Sequence, residues 1–176
     1  MTRHRRASLA PAAFFALAAA LPVVELLVAR RALPDPMASH FAGDGRPDGW
    51  MSFDQVLLIH LLVGAAQVLI FGVLPAWLGP LMQRRARFIR VPRGLNARIY
   101  RDESTIRRAA SDLRHYMHAL GACMVLTLAS AGHGTIQANL AADSRLEPVY
   151  VIVPLALTLA CALGGTAWLV LRLRRL

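Results

Sequence analysis

Four long apolar runs separated by polar segments dominate the chain. The runs cover approximately Ser8–Ala29, Phe53–Leu78, Leu113–Ile136 and Val149–Leu171. A bilayer core about 30 Å thick needs roughly 20 mostly apolar residues in a helix, whereas helices of soluble proteins usually keep one polar face. The pattern therefore predicts an all-α fold, a membrane-spanning four-helix bundle that forms a single domain over residues 1–176.

The first apolar run has a second interpretation. The basic stretch RHRR before it, together with Ala18, Ala19 and Ala20 inside it, is typical of a secretory signal peptide with its cleavage site. Apolarity, however, continues past these alanines to Ala29. We therefore interpret the run as an uncleaved membrane anchor.

The distribution of arginine predicts which way the bundle faces. All 20 basic residues are arginine, which is typical of a GC-rich bacterial genome. Of these, 16 lie in the N-terminal stretch, in the 80–112 segment with Arg114, and in the C-terminal tail. The other four are Arg30, Arg31, Arg46 and Arg145. Because basic residues accumulate on the cytoplasmic side, we predict a multi-pass protein of the bacterial inner (plasma) membrane, with both termini and the Arg-rich 80–112 loop in the cytoplasm. The 30–52 loop is then the outer loop.

The formal charge of +10 raises the question of nucleic-acid binding. Nucleic-acid sites combine basic residues with base-reading or stacking side chains. The most basic run, residues 84–101, contains only Phe88 and Tyr100 as aromatic residues. We therefore predict no nucleic-acid partner, and we assign these arginines to the anionic lipid of the bilayer surface.

The chain carries no recognised catalytic motif. It has no GxSxG, no HExxH and no glycine-rich phosphate loop. The two cysteines, Cys123 and Cys161, lie inside apolar runs without CxxC spacing, so they are interpreted as small buried apolar residues. We predict no enzyme activity, no cofactor and no metal site.

Polar residues inside the apolar runs are candidates for function because ionisable groups are costly at membrane depth. The intramembrane candidates are Glu25, His60, Gln67 and His133. Neighbouring helices run in opposite directions, so the constant rise per residue of a helix brings Glu25, His60 and His133 to a similar depth on the outer side. One interpretation is a pocket for a ligand or a proton. The other is that Glu25 reaches toward Arg30 or Arg31 while each histidine bonds a backbone carbonyl.

The predicted outer loop has an unusual composition for a connector. It contains LPDPMASHFAGDGRPDGWMS, in which the prolines, glycines and aspartates are typical of tight turns. The contact candidates on the outer face are His40, Phe41, Asp44, Asp48 and Trp50. A plain hairpin needs only turn formers and an interfacial anchor such as Trp50. His40 and Phe41 exceed that need, and we expect His40, Asp44 and Asp48 to cover the polar pocket.

The same stretch carries a family resemblance. Leu33-Pro34-Asp35-x-Met37-Ala38-Ser39-His40-Phe41, followed by Gly45-x-Pro47-Asp48-Gly49-Trp50-x-Ser52, resembles the pattern LPxxIPxHFxxxGxPDGWxS. This is the signature loop of a bacterial membrane domain of unknown function, which forms the N-terminal part of the SdpI-like immunity and signalling proteins. The resemblance covers this stretch and the flanking helices. It implies a loop placed after a first transmembrane helix and a role in toxin immunity or signalling.

The second half of the chain resembles one branch of the same family more loosely. Val91-Pro92, Arg107-Arg108 and His133 with Ala138-Asn139 fit the outline of that branch. Its aromatic loop motif after the proline is replaced here by RGLNARIY. The resemblance therefore implies the same arrangement of helices without a shared cytoplasmic motif.

Three classes of function remain open from the sequence. The first is non-catalytic sensing, signalling or toxin immunity through a peptide or protein ligand bound by the outer loop. The second is a small transporter or proton-coupled permease that uses the intramembrane polar residues. The third is a structural subunit of a larger membrane complex. Small residues at four-residue spacing, such as Ala156, Ala160 and Gly164, suit packing within the chain, a homo-oligomer or a membrane-protein partner equally.

Overall fold

A computed structural model describes residues 2–78 and 102–175 of the chain. In these ranges it contains four long helices and one two-stranded sheet. The helices are α1 (Thr2–Ala29), α2 (Phe53–Leu78), α3 (Glu103–Leu140) and α4 (Val149–Arg174). All four contain a stretch long and apolar enough to cross a membrane. The coarse prediction of a membrane-spanning helical protein therefore agrees with the structure.

The prediction of an all-α fold is wrong in one respect. The 30–52 loop contains two strands, β1 (Met37–Phe41) and β2 (Pro47–Met51), which pair antiparallel as a hairpin. The pairing is irregular, with register shifts on both sides of His40. Glycine and proline are rare inside regular strands, so the sequence predicts no strand here. The hairpin forms because the helices below it supply the missing partners.

Three of the helices extend beyond the apolar runs, with α4 ending at Arg174, three residues after its run. α1 begins at Thr2, and α3 begins at Glu103 and ends at Leu140, so α3 includes the last part of the predicted 80–112 loop. The rest of that loop, residues 80–101, lies outside the described residues. The start of α3 has a local cause. The Asp102 carboxylate accepts a hydrogen bond from the Thr105 N–H at 2.8 Å, which caps the helix.

α2 changes its winding partway along its length. It is α-helical over Phe53–Gln67 and π-helical over Val68–Val73. Its start is a capping box, in which Ser52 Oγ accepts from the Gln55 N–H and Gln55 Oε1 accepts from the Ser52 N–H. Short π-helical segments are rare overall but are frequent at functional sites.

Two apolar clusters hold α1, α2 and α3 together. The first contains Leu26, Phe53 and Ile136 and includes Met37 of the hairpin, which is completely buried. The second lies deeper and consists of Phe15, Phe71 and Val125. α4 packs on α3 and, along its described length, contributes no buried residue. Its small residues Ala156, Ala160 and Gly164 are exposed.

The bundle has two chemically different ends. The hairpin end carries the hairpin, the end of α1, the start of α2, the end of α3 and the start of α4. The basic end carries the start of α3 and the end of α4, where Arg107, Arg108 and Arg172 lie.

Candidate functional site at the hairpin end

The tip of the hairpin is a tight turn built by its own backbone. The Ala42 N–H donates to the Arg46 carbonyl and the Gly45 N–H donates to the Ala42 carbonyl, both at 2.8 Å. Asp44 Oδ1 accepts from the Arg46 N–H at 3.0 Å, a bond typical of an aspartate in a turn. Gly45 has φ +83°, and a Cβ there would lie 2.5 Å from the Leu146 carbonyl oxygen. Only glycine fits this position without strain.

The hairpin is fastened to the helices by backbone-directed hydrogen bonds. The buried Asn139 side chain of α3 pairs with both polar groups of Ala38, accepting from its N–H at 2.7 Å and donating to its carbonyl at 2.8 Å. Asn139 thereby replaces a neighbouring strand along β1. At the base of the hairpin, Asp35 Oδ1 accepts from the Phe53 N–H at 3.3 Å.

The tip of the hairpin is fastened to the α3–α4 loop. The Leu146 N–H donates to the Gly45 carbonyl at 2.9 Å. Arg145 donates twice to the Asp44 carbonyl, from Nε at 3.0 Å and from a terminal nitrogen at 2.8 Å. With contacts at its base, its first strand and its tip, the hairpin has a fixed position over the helix ends.

The exposed face of the hairpin carries a histidine–carboxylate pair. His40 Nδ1 lies 2.5 Å from Asp48 Oδ1, across the two strands, and the side chains remain 75% and 47% exposed. Trp50 is also exposed, and Phe41 is half-buried. Of the three residues predicted to cover a pocket, His40 and Asp48 therefore pair with each other on the surface.

Asp44 lines a separate cavity between the hairpin tip and the helix ends. This hairpin-end cavity has a volume of about 610 Å³. Gly134 forms part of its floor, where a Cβ would lie 2.6 Å from the Tyr150 Cβ. The absence of a side chain at this position allows α3 and α4 to approach closely. The polar lining consists of Asp44, Gln137, Asp143, Arg145, Glu147 and Tyr150.

Glu25 and His133 form a hydrogen-bonded side-chain pair that joins α1 to α3. His133 Nδ1 contacts Glu25 Oε1, and the two side chains are 41% and 35% exposed. The His133 ring also packs edge-on against Tyr150 of α4, with the ring centroids 5.4 Å apart. Three helices therefore meet at one histidine near the hairpin end.

The other two intramembrane candidates lie apart from this pair. His60 Nδ1 is 2.8 Å from the carbonyl oxygen of Val56, one turn back in its own helix. Gln67 is buried two turns further along α2. Both line a second cavity between α1, α2 and α3. Glu25 thus contacts His133, as in the interpretation of a polar pocket. His60 instead bonds a backbone carbonyl, as in the interpretation of individually bonded side chains.

The described residues hold no group of three or more histidine, cysteine or acidic side chains that could bind a metal. Cys123 and Cys161 are free and half-buried, on the neighbouring helices α3 and α4.

Sequence reasoning misses three residues of the site. Asn139 enters it only as part of the family outline, Arg145 only as part of the charge distribution, and Tyr150 only as an aromatic residue near the outer interface. A signal exists for Asn139, because a buried amide at the end of an apolar helix needs partners. The partner, a backbone unit 101 residues earlier, depends on the tertiary fold.

Comparison with known proteins finds no matching family model, no matching curated protein and no matching solved structure.

Proposed function

We propose that the chain is a non-catalytic receptor of the bacterial inner membrane, which recognises a peptide or protein ligand with the exposed face of its hairpin. The observation that carries the proposal is the fastened hairpin, which presents the His40–Asp48 pair to solvent. Exposed ion pairs contribute only about 0–1 kcal/mol to stability. The pair is therefore dispensable for folding and available for contact with a ligand.

The hairpin also suits a peptide ligand because its backbone is only partly paired. A two-stranded sheet leaves strand edges to which an extended peptide can add main-chain hydrogen bonds. Asn139 occupies part of the β1 edge at Ala38. The exposed Trp50 lies on β2, and aromatic side chains are frequent anchors of binding surfaces.

A bound ligand has a physical connection to the membrane helices. Asn139, which holds β1, lies on α3 together with His133, and His133 contacts Glu25 of α1 and Tyr150 of α4. A displacement of the hairpin would therefore act on the positions of three helices. Such a change amounts to signalling only if the ligand binds the two arrangements with different affinity.

The proposed orientation places the hairpin end outside the cytoplasm. Of the 20 arginines, 16 lie in the N-terminal stretch, in the 80–112 segment with Arg114, and in the C-terminal tail, and this asymmetry supports a cytoplasmic basic end. The resemblance of the hairpin sequence to the SdpI-like domain supports toxin immunity or envelope signalling as the biological role.

The orientation is tested by labelling a single cysteine at the hairpin tip. In an Asp44→Cys variant that also carries Cys123→Ala and Cys161→Ala, we expect a membrane-impermeant maleimide to label intact spheroplasts and to fail on inverted vesicles. Arg175→Cys in the same background is the control and should show the opposite pattern. Labelling of position 44 only in inverted vesicles would contradict the orientation.

The ligand contact is tested by photo-crosslinking in living cells. Benzoylphenylalanine at position 41, beside the histidine–aspartate pair, should give an ultraviolet-dependent adduct on the outside of the cell. The additional change Asp48→Ala should abolish the adduct. Asp54→Ala is the matched control, because Asp54 is an exposed carboxylate paired with Arg30 outside the hairpin. An adduct of equal yield in the Asp48→Ala and Asp54→Ala backgrounds would refute the proposal.

A small proton-coupled transporter is the second candidate. The observation that favours it is the position of His133 between Gly132 and Gly134, which line the second cavity and the hairpin-end cavity respectively. The Glu25–His133 pair then lies between the second cavity and the hairpin-end cavity. Proteoliposomes under a pH gradient should show proton flux that Glu25→Ala removes, and unchanged flux in that variant would reject this candidate.

A further inference from the structure

The second cavity lies in the membrane-spanning part of the bundle, away from the hairpin. It has a volume of about 200 Å³ and lies between α1, α2 and α3. Its walls are mostly apolar, with Ala18 and Pro22 from α1, Val63 from α2 and Leu128 from α3. For comparison, an apolar protein cavity of about 150 Å³ can hold a benzene molecule. The space therefore accommodates a ligand of about one aromatic ring.

One polar side chain in the cavity wall is deeply buried without a hydrogen-bond partner. Gln67 is only 5% exposed, and its Nε2 has no partner among the residues that the structure describes. A primary amide nitrogen has two N–H donors. Buried donors are nearly always paired in native proteins, so an unpaired one requires an explanation.

The second polar group of the cavity is an acceptor. His60 Nδ1 bonds the Val56 carbonyl oxygen at 2.8 Å. A carbonyl can only accept, so Nδ1 carries the proton, and in the neutral ring Nε2 keeps its lone pair. Nε2 points toward α3, because a Cβ on Gly132 would lie 3.1 Å from it. The cavity wall thus offers a donor at Gln67 and an acceptor at His60.

The cavity opens to the surroundings of the helices. Its lining includes Ile59, Val63 and Leu128, which are 45%, 37% and 38% exposed. In a membrane-spanning bundle these apolar side chains face lipid, so a ligand would enter from the bilayer. The π-helical segment Val68–Val73 begins directly after Gln67, and such segments are frequent at functional sites.

We propose that this cavity binds a small neutral phenol that reaches it through the bilayer. A phenol hydroxyl can accept a hydrogen bond from the Gln67 amide, whose Nε2 is otherwise without a partner among the described residues. The ring fits the apolar walls and the volume. The described lining contains no acidic side chain and no arginine, which favours a neutral ligand over a charged one.

A hydrocarbon occupant fits the observations less well. A lipid chain would fill the apolar part of the cavity but would leave the Gln67 donors unpaired. A phenol satisfies both the volume and the amide. This site is separate from the hairpin, so the inference stands or fails independently of the receptor proposal.

The test compares phenol with toluene, which has nearly the same size and shape but no hydroxyl group. Wild-type protein and Gln67→Leu are reconstituted in lipid nanodiscs, and occupancy of each probe is measured by ligand-detected NMR. We expect the ratio of phenol affinity to toluene affinity to be about fivefold higher in the wild type than in Gln67→Leu. This factor corresponds to the contribution of one net hydrogen bond. Because both proteins lie in the same lipid, partitioning of the probes cancels.

Two further variants locate the binding. Ala18→Leu places extra side-chain volume in the cavity and should prevent both probes from binding. Gln67→Met keeps the length of the side chain without a donor and should match Gln67→Leu in its phenol-to-toluene ratio. An equal ratio in wild type and both Gln67 variants, or phenol binding that Ala18→Leu leaves unchanged, would overturn the proposal.

Discussion

The two ends of the bundle are held together in different ways. At the hairpin end, the contacts join residues that are far apart in sequence. Ala38 with Asn139, Asp44 with Arg145, and Glu25 with His133 are separated by 101, 101 and 108 positions. Most of the polar atoms in these contacts are backbone groups or partly buried side chains. Loss of one partner there leaves another polar group without its bond.

At the basic end, the described polar contacts are more local and more exposed. Asp102 binds Ser104 and Thr105 within the first turn of α3, and Glu103 pairs with Arg107 four residues later. Arg172 joins α4 to Asp112 of α3 at 3.4 Å, with the Arg172 side chain 57% and the Asp112 side chain 15% exposed. The Glu103–Arg107 pair is exposed on both sides, and such a pair contributes little because water replaces either partner. Substitutions at the two ends should therefore differ strongly in their effects.

The largest difference is expected between two glutamates. Glu25→Ala should lower the free energy of unfolding by about 2.5 kcal/mol, because it leaves the half-buried His133 ring without its hydrogen-bond partner. Glu103→Ala should change it by only about 0.5 kcal/mol, since its pair with Arg107 is an exposed i,i+4 pair. Equilibrium unfolding in mixed micelles with a denaturing detergent measures both. Equal losses in the two variants would break the comparison between the ends.

The next effect concerns the fastening of β1. Asn139→Ala removes both side-chain bonds to Ala38. The Ala38 N–H and carbonyl then lose their partners, which should cost about 2 kcal/mol. Hydrogen exchange at the Ala38 amide should become much faster, while α2 remains protected. Gln137→Ala, at an exposed position on the same helix, is the control and should leave the exchange unchanged. Slow exchange at Ala38 in the Asn139 variant would contradict the role of Asn139.

A smaller effect is expected at the hairpin tip, where two glycines form a matched pair. At Gly45 the backbone has φ +83°, and a Cβ would meet the Leu146 carbonyl oxygen. Because alanine disfavours such a backbone, Gly45→Ala should cost about 1 kcal/mol or somewhat more. Gly43→Ala should be nearly neutral, since no atom lies within 4 Å of a Cβ there. Thermal unfolding monitored by circular dichroism compares the two. A Gly43 variant as unstable as the Gly45 variant would show that the tip depends on general turn flexibility.

The helices can be predicted from the sequence because the bilayer requires a long apolar run at each crossing. The same criterion fails at the start of α3. The stretch from Glu103 to Asp112 is polar, so an apolar run does not include it, and the relevant signal is the capping aspartate Asp102. A helix extends beyond the membrane wherever caps and local pairs support it, and hydropathy does not detect these.

The hairpin can be located in the sequence, but its structure cannot be predicted from it. The turn formers Asp44 and Gly45 predict a tight turn, which the structure contains. An isolated two-stranded hairpin is only marginally stable. The strands therefore depend on Asn139 and Arg145, each 101 residues after the backbone group that it bonds, and sequence patterns do not single out those groups. For the same reason, similar depth in the membrane leaves open which of Glu25, His60 and His133 meet, and the tertiary fold pairs Glu25 with His133.

The smallest effect concerns the cap at the basic end and depends on pH. Hydrogen bonds from the Ser104 hydroxyl and the Thr105 N–H lower the pKa of Asp102 from 3.8 to about 2. The ionised cap therefore stabilises the first turn of α3 fully above pH 3.8, and this contribution is lost as the pH falls through the lower pKa of the folded protein. The Thr105 amide resonance should shift across this range as its hydrogen bond weakens. Asp102→Asn is the control, because asparagine also caps helices but does not titrate, so the shift should disappear. An equal pH-dependent shift of the Thr105 amide resonance in both proteins would mean that another carboxylate causes the shift. The basic end would then lack the local cap that distinguishes it from the hairpin end.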